Sequence, residues 1–218
     1  MKQLLILICL LGITSGLPLS AQIDGPFAKE MKAFEVQDAQ GSLPKGVDLF
    51  VGSSSIRYWS NVIKLPSSNP ILNRGFGGSQ MSDLLYYFEE LVVQYKPKRV
   101  FVYEGDNDVS AGKEVKTILR DFKIFLDRMD KNLPDVPVYI ISPKPSVARW
   151  ELKKEYEKTN RALKNLAEDT PGVEFIDVWT PMLPENGEVD PNLFIEDQLH
   201  MNAKGYAIWA EVIKPYLK

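Results

Sequence analysis

The chain has 218 residues, 44% of them hydrophobic and 25% charged, the proportions of one soluble globular domain with or without a short appendage. A formal net charge of -3 and the lack of a long basic run argue against nucleic acid as a partner. The one cysteine, Cys9, lies in the N-terminal segment, so a chain processed behind it has no disulfide, no thiolate catalysis and no cysteine metal site.

In chain order, residues 1–21 come first. Lys2 is followed by an apolar run from Leu4 to Ile13, then by Gly16, Pro18, Ser20 and Ala21. That is the pattern of a secretory signal cut after Ala21. The run is shorter than the roughly 20 residues a bilayer span needs. The expectation is an exported protein, periplasmic or secreted, without stable membrane insertion after cleavage; a retained anchor is the alternative. Residues 22–46 read as an N-terminal helix and linker, with Phe27, Met31 and Phe34 at helical spacing over 26–40 and a break at 41–46.

From residue 47 to 218, short apolar runs alternate with longer amphipathic stretches. Strands are predicted at 47–51, 71–76, 99–103, 136–141 and 173–178, where β-branched and aromatic residues gather. Helices are predicted at 81–95, 115–129, 150–168 and 203–217. The alternation predicts a three-layer α/β domain on a five-stranded, mainly parallel sheet. Ligands of such sheets bind beyond the carboxyl ends of the strands. The loops to inspect are therefore 52–59, 77–80, 104–112, 142–150 and 179–200.

His200 is the sole histidine, and a hydroxyl nucleophile working at neutral pH needs a base of its kind. Asp197, three residues upstream, can orient its ring and stabilise the imidazolium. The candidate nucleophile lies in Gly52-Ser53-Ser54-Ser55 after the first strand, where hydroxyls and backbone N–H groups are exposed; helix N-capping is the competing role for these serines. Ile56 rules out the G-x-S-x-G elbow, and no Gly-Lys-Ser/Thr follows to make a P-loop. Gly75-Phe76-Gly77-Gly78 can bring backbone donors close to a ligand, or can simply be a tight turn. Gln80 removes the dinucleotide fingerprint. Asn107, in Gly105-Asp106-Asn107-Asp108, can donate to an oxyanion, or belong to a polar turn. An EF-hand register starting at Asp106 fails at Ala111 and Thr117. With a single histidine, zinc is not expected, and no metal or cofactor is assigned.

These segments, in this order, resemble the blocks of the SGNH (GDSL-like) hydrolases over residues 49–206. The first block is similar to Gly52 through Ser55 and puts the nucleophile on Ser54. The second resembles Asn73-Arg74-Gly75-Phe76-Gly77-Gly78 and is carried to Gly78. The third is matched by Gly105 to Asp108 and gives Asn107, and the fourth by Asp197-Gln198-Leu199-His200. Ser53 and Ser55 depart from the usual Asp and Leu/Ile. The string Ser-Ser-Ser-Ile-Arg-Tyr-Trp looks like a branch related to platelet-activating-factor acetylhydrolases.

The resemblance implies a flavodoxin-like SGNH hydrolase fold and a serine esterase. Its triad would be Ser54, Asp197 and His200, and its oxyanion donors Ser54, Gly78 and Asn107. Export and small size suggest short acyl esters, acetyl first, on a small molecule or a carbohydrate. A lysophospholipase or thioesterase, or a non-catalytic carbohydrate-binding protein, is the alternative. Arg57, Trp59, Arg74, Lys144 and Trp150 sit in or beside the candidate loops as possible substrate contacts. Oligomeric state is left open.

Overall fold

The computed structural model describes residues 25–41, 43–185 and 187–218. The expected signal segment, residues 1–21, lies outside the described residues. Five strands form one parallel sheet: β1 (Asp48–Gly52), β2 (Ile71–Gly75), β3 (Arg99–Tyr103), β4 (Val138–Ile141) and β5 (Val173–Ile176). Their order is β2-β1-β3-β4-β5, and every pairing is parallel. The helices are α1 (Ala28–Ala39), α2 (Ser54–Arg57), α3 (Met81–Tyr86), α4 (Phe88–Leu91), α5 (Asp106–Ser110), α6 (Val115–Asn132), α7 (Lys153–Glu168) and α8 (Ala203–Ile213).

Alternation along the strands builds two cores, one on each face of the sheet. Leu49, Val51, Val100, Val102 and Ile140 face one way and pack with residues of α1, α3, α4, α6 and α7. Phe50, Phe101, Tyr103, Tyr139 and Ile141 face the other way and pack with Ile56 of α2 and Trp209 and Ile213 of α8. In-register partners Phe50, Phe101 and Tyr139 stack across three strands, with centroids 4.4 and 4.7 Å apart. The three-layer α/β fold is as expected, with a sheet that is parallel throughout.

The differences from the expected elements are local. The helix foreseen at 81–95 breaks at Tyr87, whose backbone (φ -103°, ψ 28°) leaves the helical region, so α3 and α4 are separate short pieces. The buried Tyr87 hydroxyl donates to the Pro26 carbonyl just ahead of α1, and Met31 of α1 is buried in the same core. Tertiary packing thus overrides a helical pattern that is continuous in the sequence. The ends of two other predicted helices, 150–152 and 214–217, are 3₁₀ turns.

The order of strands reverses between β1 and β3, and the crevice beyond their carboxyl ends is where such sheets hold ligands. At that point β1 ends on Gly52 with φ +132°, and a Cβ there would come within 2.0 Å of the Tyr103 carbonyl oxygen. Only glycine lets the chain leave β1 so close to β3. That exit sets the position of the residue two places on, Ser54.

Candidate active site

Ser54 is the first residue of α2, a single turn seated on the end of β1. Ser53 occupies the N-cap in an extended conformation, yet no side chain caps the turn. The capping role open to these serines is therefore not the one their side chains take. Two residues from elsewhere pin the turn: Asn73 Nδ2 donates to the Ile56 carbonyl at 2.7 Å, and the Tyr206 hydroxyl to the Ser55 carbonyl at 2.9 Å. Ser53 and Ser55 are buried at 1% and 2% exposure, whereas Ser54 is partly open to solvent.

His200 comes from the loop ahead of α8. Asp197 shapes that loop. Its Oδ1 accepts the backbone N–H groups of Leu199 and His200, both at 2.9 Å, and its Oδ2 meets His200 Nδ1 at 2.5 Å. A short acidic side chain bonding to its own backbone two and three residues on is a local turn device, which explains the spacing of the pair. Gln198, between them, sits at φ +56°. Its carbonyl accepts from Ala148 N–H at 3.0 Å, and His200 O accepts from Ile195 N–H at 2.9 Å. Slight burial works to raise the Asp197 pKa, but the His200 ring and the backbone N–H groups of His200 and Leu199 outweigh it and bring it to about 2. The carboxylate is charged at any physiological pH.

The other ring nitrogen, His200 Nε2, lies 2.8 Å from Ser54 Oγ. Hydroxyl, imidazole and carboxylate therefore form one chain of contacts between residues 146 positions apart in sequence. Tyr58 closes one side of the imidazole, its ring edge-on at 4.8 Å.

Gly78 and Asn107 approach from the ends of β2 and β3. Gly78 has φ +82°, and a Cβ there would touch nothing within 4 Å, so conformation rather than space calls for glycine. Among the described residues neither the Ser54 nor the Gly78 N–H is donated to a protein acceptor. Asn107 Nδ2 donates one hydrogen to the Ser79 carbonyl at 2.8 Å, and Oδ1 accepts from Arg149 Nη2 at 3.0 Å. An amide nitrogen carries two hydrogens, so the second remains available to a ligand. Asp108, next in the motif, is engaged by Met81 N–H and by Lys113 Nζ.

Behind this loop sits Glu104, fully buried. Its Oε1 lies 2.6 Å from Ser79 Oγ, and its Oε2 has no hydrogen-bond partner among the described residues. Burial pushes its pKa well above the usual carboxylate range, Ser79 opposes, and the carboxylates of Asp108, Asp83 and Asp106 add to the rise.

Three of the five residues expected to contact substrate are buried in structural work. Trp59, at 2% exposure, packs on Phe50, Tyr206 and Trp209. Arg74 is buried against Asp38, with its Nε donating to the Tyr95 hydroxyl at 2.7 Å. Lys144, at 1% exposure, donates from Nζ to the Leu199 carbonyl at 2.7 Å. Trp150 stacks on Trp179 and donates to Glu188, contacts that anchor its own loop. Arg57 alone of the five is exposed, its guanidinium beside the Tyr58 ring and near Gly77. Tyr58, the neighbouring aromatic, is the ring that stands at the site, beside His200. It lies four positions after Ser54, hence on the same side of the turn, while Trp59 is rotated into the core.

The comparisons with known proteins agree with this architecture. Residues 50–208 match the GDSL-like Lipase/Acylhydrolase family. No curated protein sequence matches the chain. Among solved structures, one from Streptococcus pneumonia, provisionally described as a platelet activating factor, has a TM-score of 0.77 at 21% identity, covering 87% of this chain and 92% of its own. A GDSL-like lipase from Bacteroides thetaiotaomicron has a TM-score of 0.71 at 21% identity, with 86% and 96% covered. An acetylxylan esterase from Geobacillus stearothermophilus has a TM-score of 0.64 at 16% identity, with 81% and 96% covered. At such identities the likenesses show a shared fold.

Fold and family match together make the protein an ester hydrolase of the serine type. The chain belongs to the GDSL-like Lipase/Acylhydrolase family.

Proposed function

We propose that the protein is an exported esterase that removes short acyl groups, acetyl first, from small alcohols and carbohydrates through an acyl-enzyme on Ser54. The observation that carries the catalytic part is the unbroken contact chain from Ser54 Oγ through His200 to Asp197. His200 Nε2 takes the Ser54 proton as Oγ bonds to the ester carbonyl carbon, and Asp197 steadies the imidazolium. The carbonyl oxygen becomes an oxyanion held by the N–H groups of Ser54 and Gly78 and by Asn107 Nδ2. His200 then protonates the leaving alcohol. Water, deprotonated by the same nitrogen, attacks the acyl carbon; the acyl–Oγ bond breaks, His200 returns the proton to Ser54 Oγ, and the acid leaves.

The short acyl group is supported by the openness of the site. Tyr58, 53% exposed, stands beside the His200 ring, and the Asp197 side chain is 44% exposed, so the triad opens to solvent on that side. A cavity of about 430 Å³ lies away from the site, at the opposite end of the sheet beside Val138 and Val173. The acetylxylan esterase among the structural neighbours is consistent with carbohydrate esters but does not select them.

The test is turnover of nitrophenyl esters of rising acyl length alongside acetylated xylo-oligosaccharides. Rates should fall beyond butyrate, and preference for octanoate or longer would turn the reading toward a lysophospholipase or thioesterase. Export is tested by sequencing the N-terminus of the protein recovered outside the cytoplasm, which should begin at Gln22. Recovery of the chain with residues 1–21 attached in the membrane fraction would refute it. No helix among the described residues is long and apolar enough to cross a membrane.

A further inference from the structure

Asp106 lies in the middle of the third block, where the family resemblance gives it no task. It is 4% exposed and collects four partners. Arg149 Nη1 lies at 2.5 Å and Lys144 Nζ at 3.6 Å, and the hydroxyls of Tyr103 and Tyr156 donate to it at 2.7 and 2.5 Å. Burial works to raise the Asp106 pKa, but the two cations and two hydroxyls overcome it and hold it at about 2. The carboxylate is a fixed negative charge inside the protein, and both cations reach past it.

Arg149 bends from Asp106 to place Nη2 on Asn107 Oδ1 at 3.0 Å. That contact dictates which way the Asn107 amide faces, since Oδ1 accepts from Arg149 and Nδ2 is turned to Ser79 O and the site. Lys144 runs the other way, to the carbonyl of Leu199, the residue before His200. One buried carboxylate thus touches the Asn107 side of the crevice through one cation and the His200 side through the other.

We propose that Asp106, acting through Arg149 and Lys144, is the common anchor that positions the oxyanion amide and the base loop relative to each other. This rests on the roles proposed for Asn107 and His200. None of the three residues meets substrate; they are positioning residues. Their value is geometric, because a reacting group displaced by about 1 Å can cost on the order of 100-fold in rate.

The test is a kinetic cycle on the full chain with a short acetyl ester. Arg149→Ala should lower kcat about 10- to 100-fold with KM changed less than twofold. In an Asn107→Ala background, where no amide is left to position, the same change should cost less than twofold. Arg149→Lys should restore the melting temperature, since the ammonium still pairs with Asp106, but not the rate, since lysine lacks the second arm that reaches Asn107. Lys144→Met acts on the other loop and should slow the enzyme by a similar factor in both backgrounds.

Equal losses from Arg149→Ala with and without Asn107, or full rate in Arg149→Lys, would overturn the anchor and leave the catalytic reading intact. An Asn107→Ala enzyme at full rate would instead sink the oxyanion assignment and this proposal with it. If Arg149→Ala fails to fold, the Arg149→Lys pair of measurements decides alone.

Discussion

Each end of the sheet carries a buried aspartate–arginine pair, and the two do different things. At the amino end, Asp48 of β1 is fully buried and gripped by Arg99 of β3, with Nε and Nη2 at 2.7 and 2.9 Å from its oxygens. The same guanidinium donates to the carbonyls of Tyr216, Leu217 and Lys218, tying the last turn of the chain to the strands. At the carboxyl end, Asp106 is gripped by Arg149, whose spare nitrogen meets a side chain of the crevice instead. A buried ion network is therefore no sign of function in itself. What its outer arms touch decides whether it holds a fold together or a reaction.

Breaking each network should separate these roles. The largest effect belongs to the reacting group itself. Ser54→Ala should lower kcat on the order of 10⁶-fold, the scale known for a subtilisin nucleophile, with the melting temperature barely changed because Ser54 caps nothing. Next, Arg99→Met should cost about 3–5 kcal/mol of stability by stranding the Asp48 charge, read from denaturant unfolding. Its kcat per folded molecule should stay within twofold, and a large loss there would erase the distinction between the two ends. Asn107→Ala should show the inverse pattern, about 100- to 1000-fold lower kcat with an unfolding midpoint near that of the parent.

The smallest effect sharpens the electrostatic side of the comparison. Glu104 keeps its proton in the fold at pH values where the unfolded chain has lost it, because its folded pKa is raised. The folded state then binds more protons than the unfolded one, so this group subtracts stability as pH rises past its ordinary value of 4.5. Glu104→Gln should thus be more stable than the parent at pH 8, with the gap closing toward pH 4 in thermal melts. A gap independent of pH would show that Glu104 is ionised in the fold. Asp106 and Asp197 have the opposite sign: their pKa values near 2 add stability that is lost as acid is added below about 3.8.

Strand positions were legible because buried parallel strands are short, β-branched runs, and all five fall within two residues of the stretches expected. The segments around Ser54, Gly78, Asn107 and Asp197–His200 were legible for a different reason. The first three directly follow β1, β2 and β3, where backbone geometry leaves little freedom, as at Gly52, and the Asp197–His200 pair has the short spacing of a local turn. The helix break at Tyr87 was not legible, since a pattern of period 3.6 does not record a hydroxyl reaching Pro26, 61 residues away. Nor were the roles of Arg74 and Lys144. A cation in a loop or near the end of a strand reads as solvent-facing until its acid partner is known, and Asp38 and Asp106 are each more than 30 residues distant in sequence. Trp59 and Tyr58 differ by one position in a single helical turn. Only the phase of the turn separates the buried ring from the exposed one.

The most direct test is to treat the protein with a fluorophosphonate ester and locate the modified residue by peptide mass spectrometry. Phosphonylation of Ser54 alone, lost in His200→Ala, is the predicted result. An adduct on Ser53 or Ser55, or ester hydrolysis that persists at full rate in Ser54→Ala, would contradict the account.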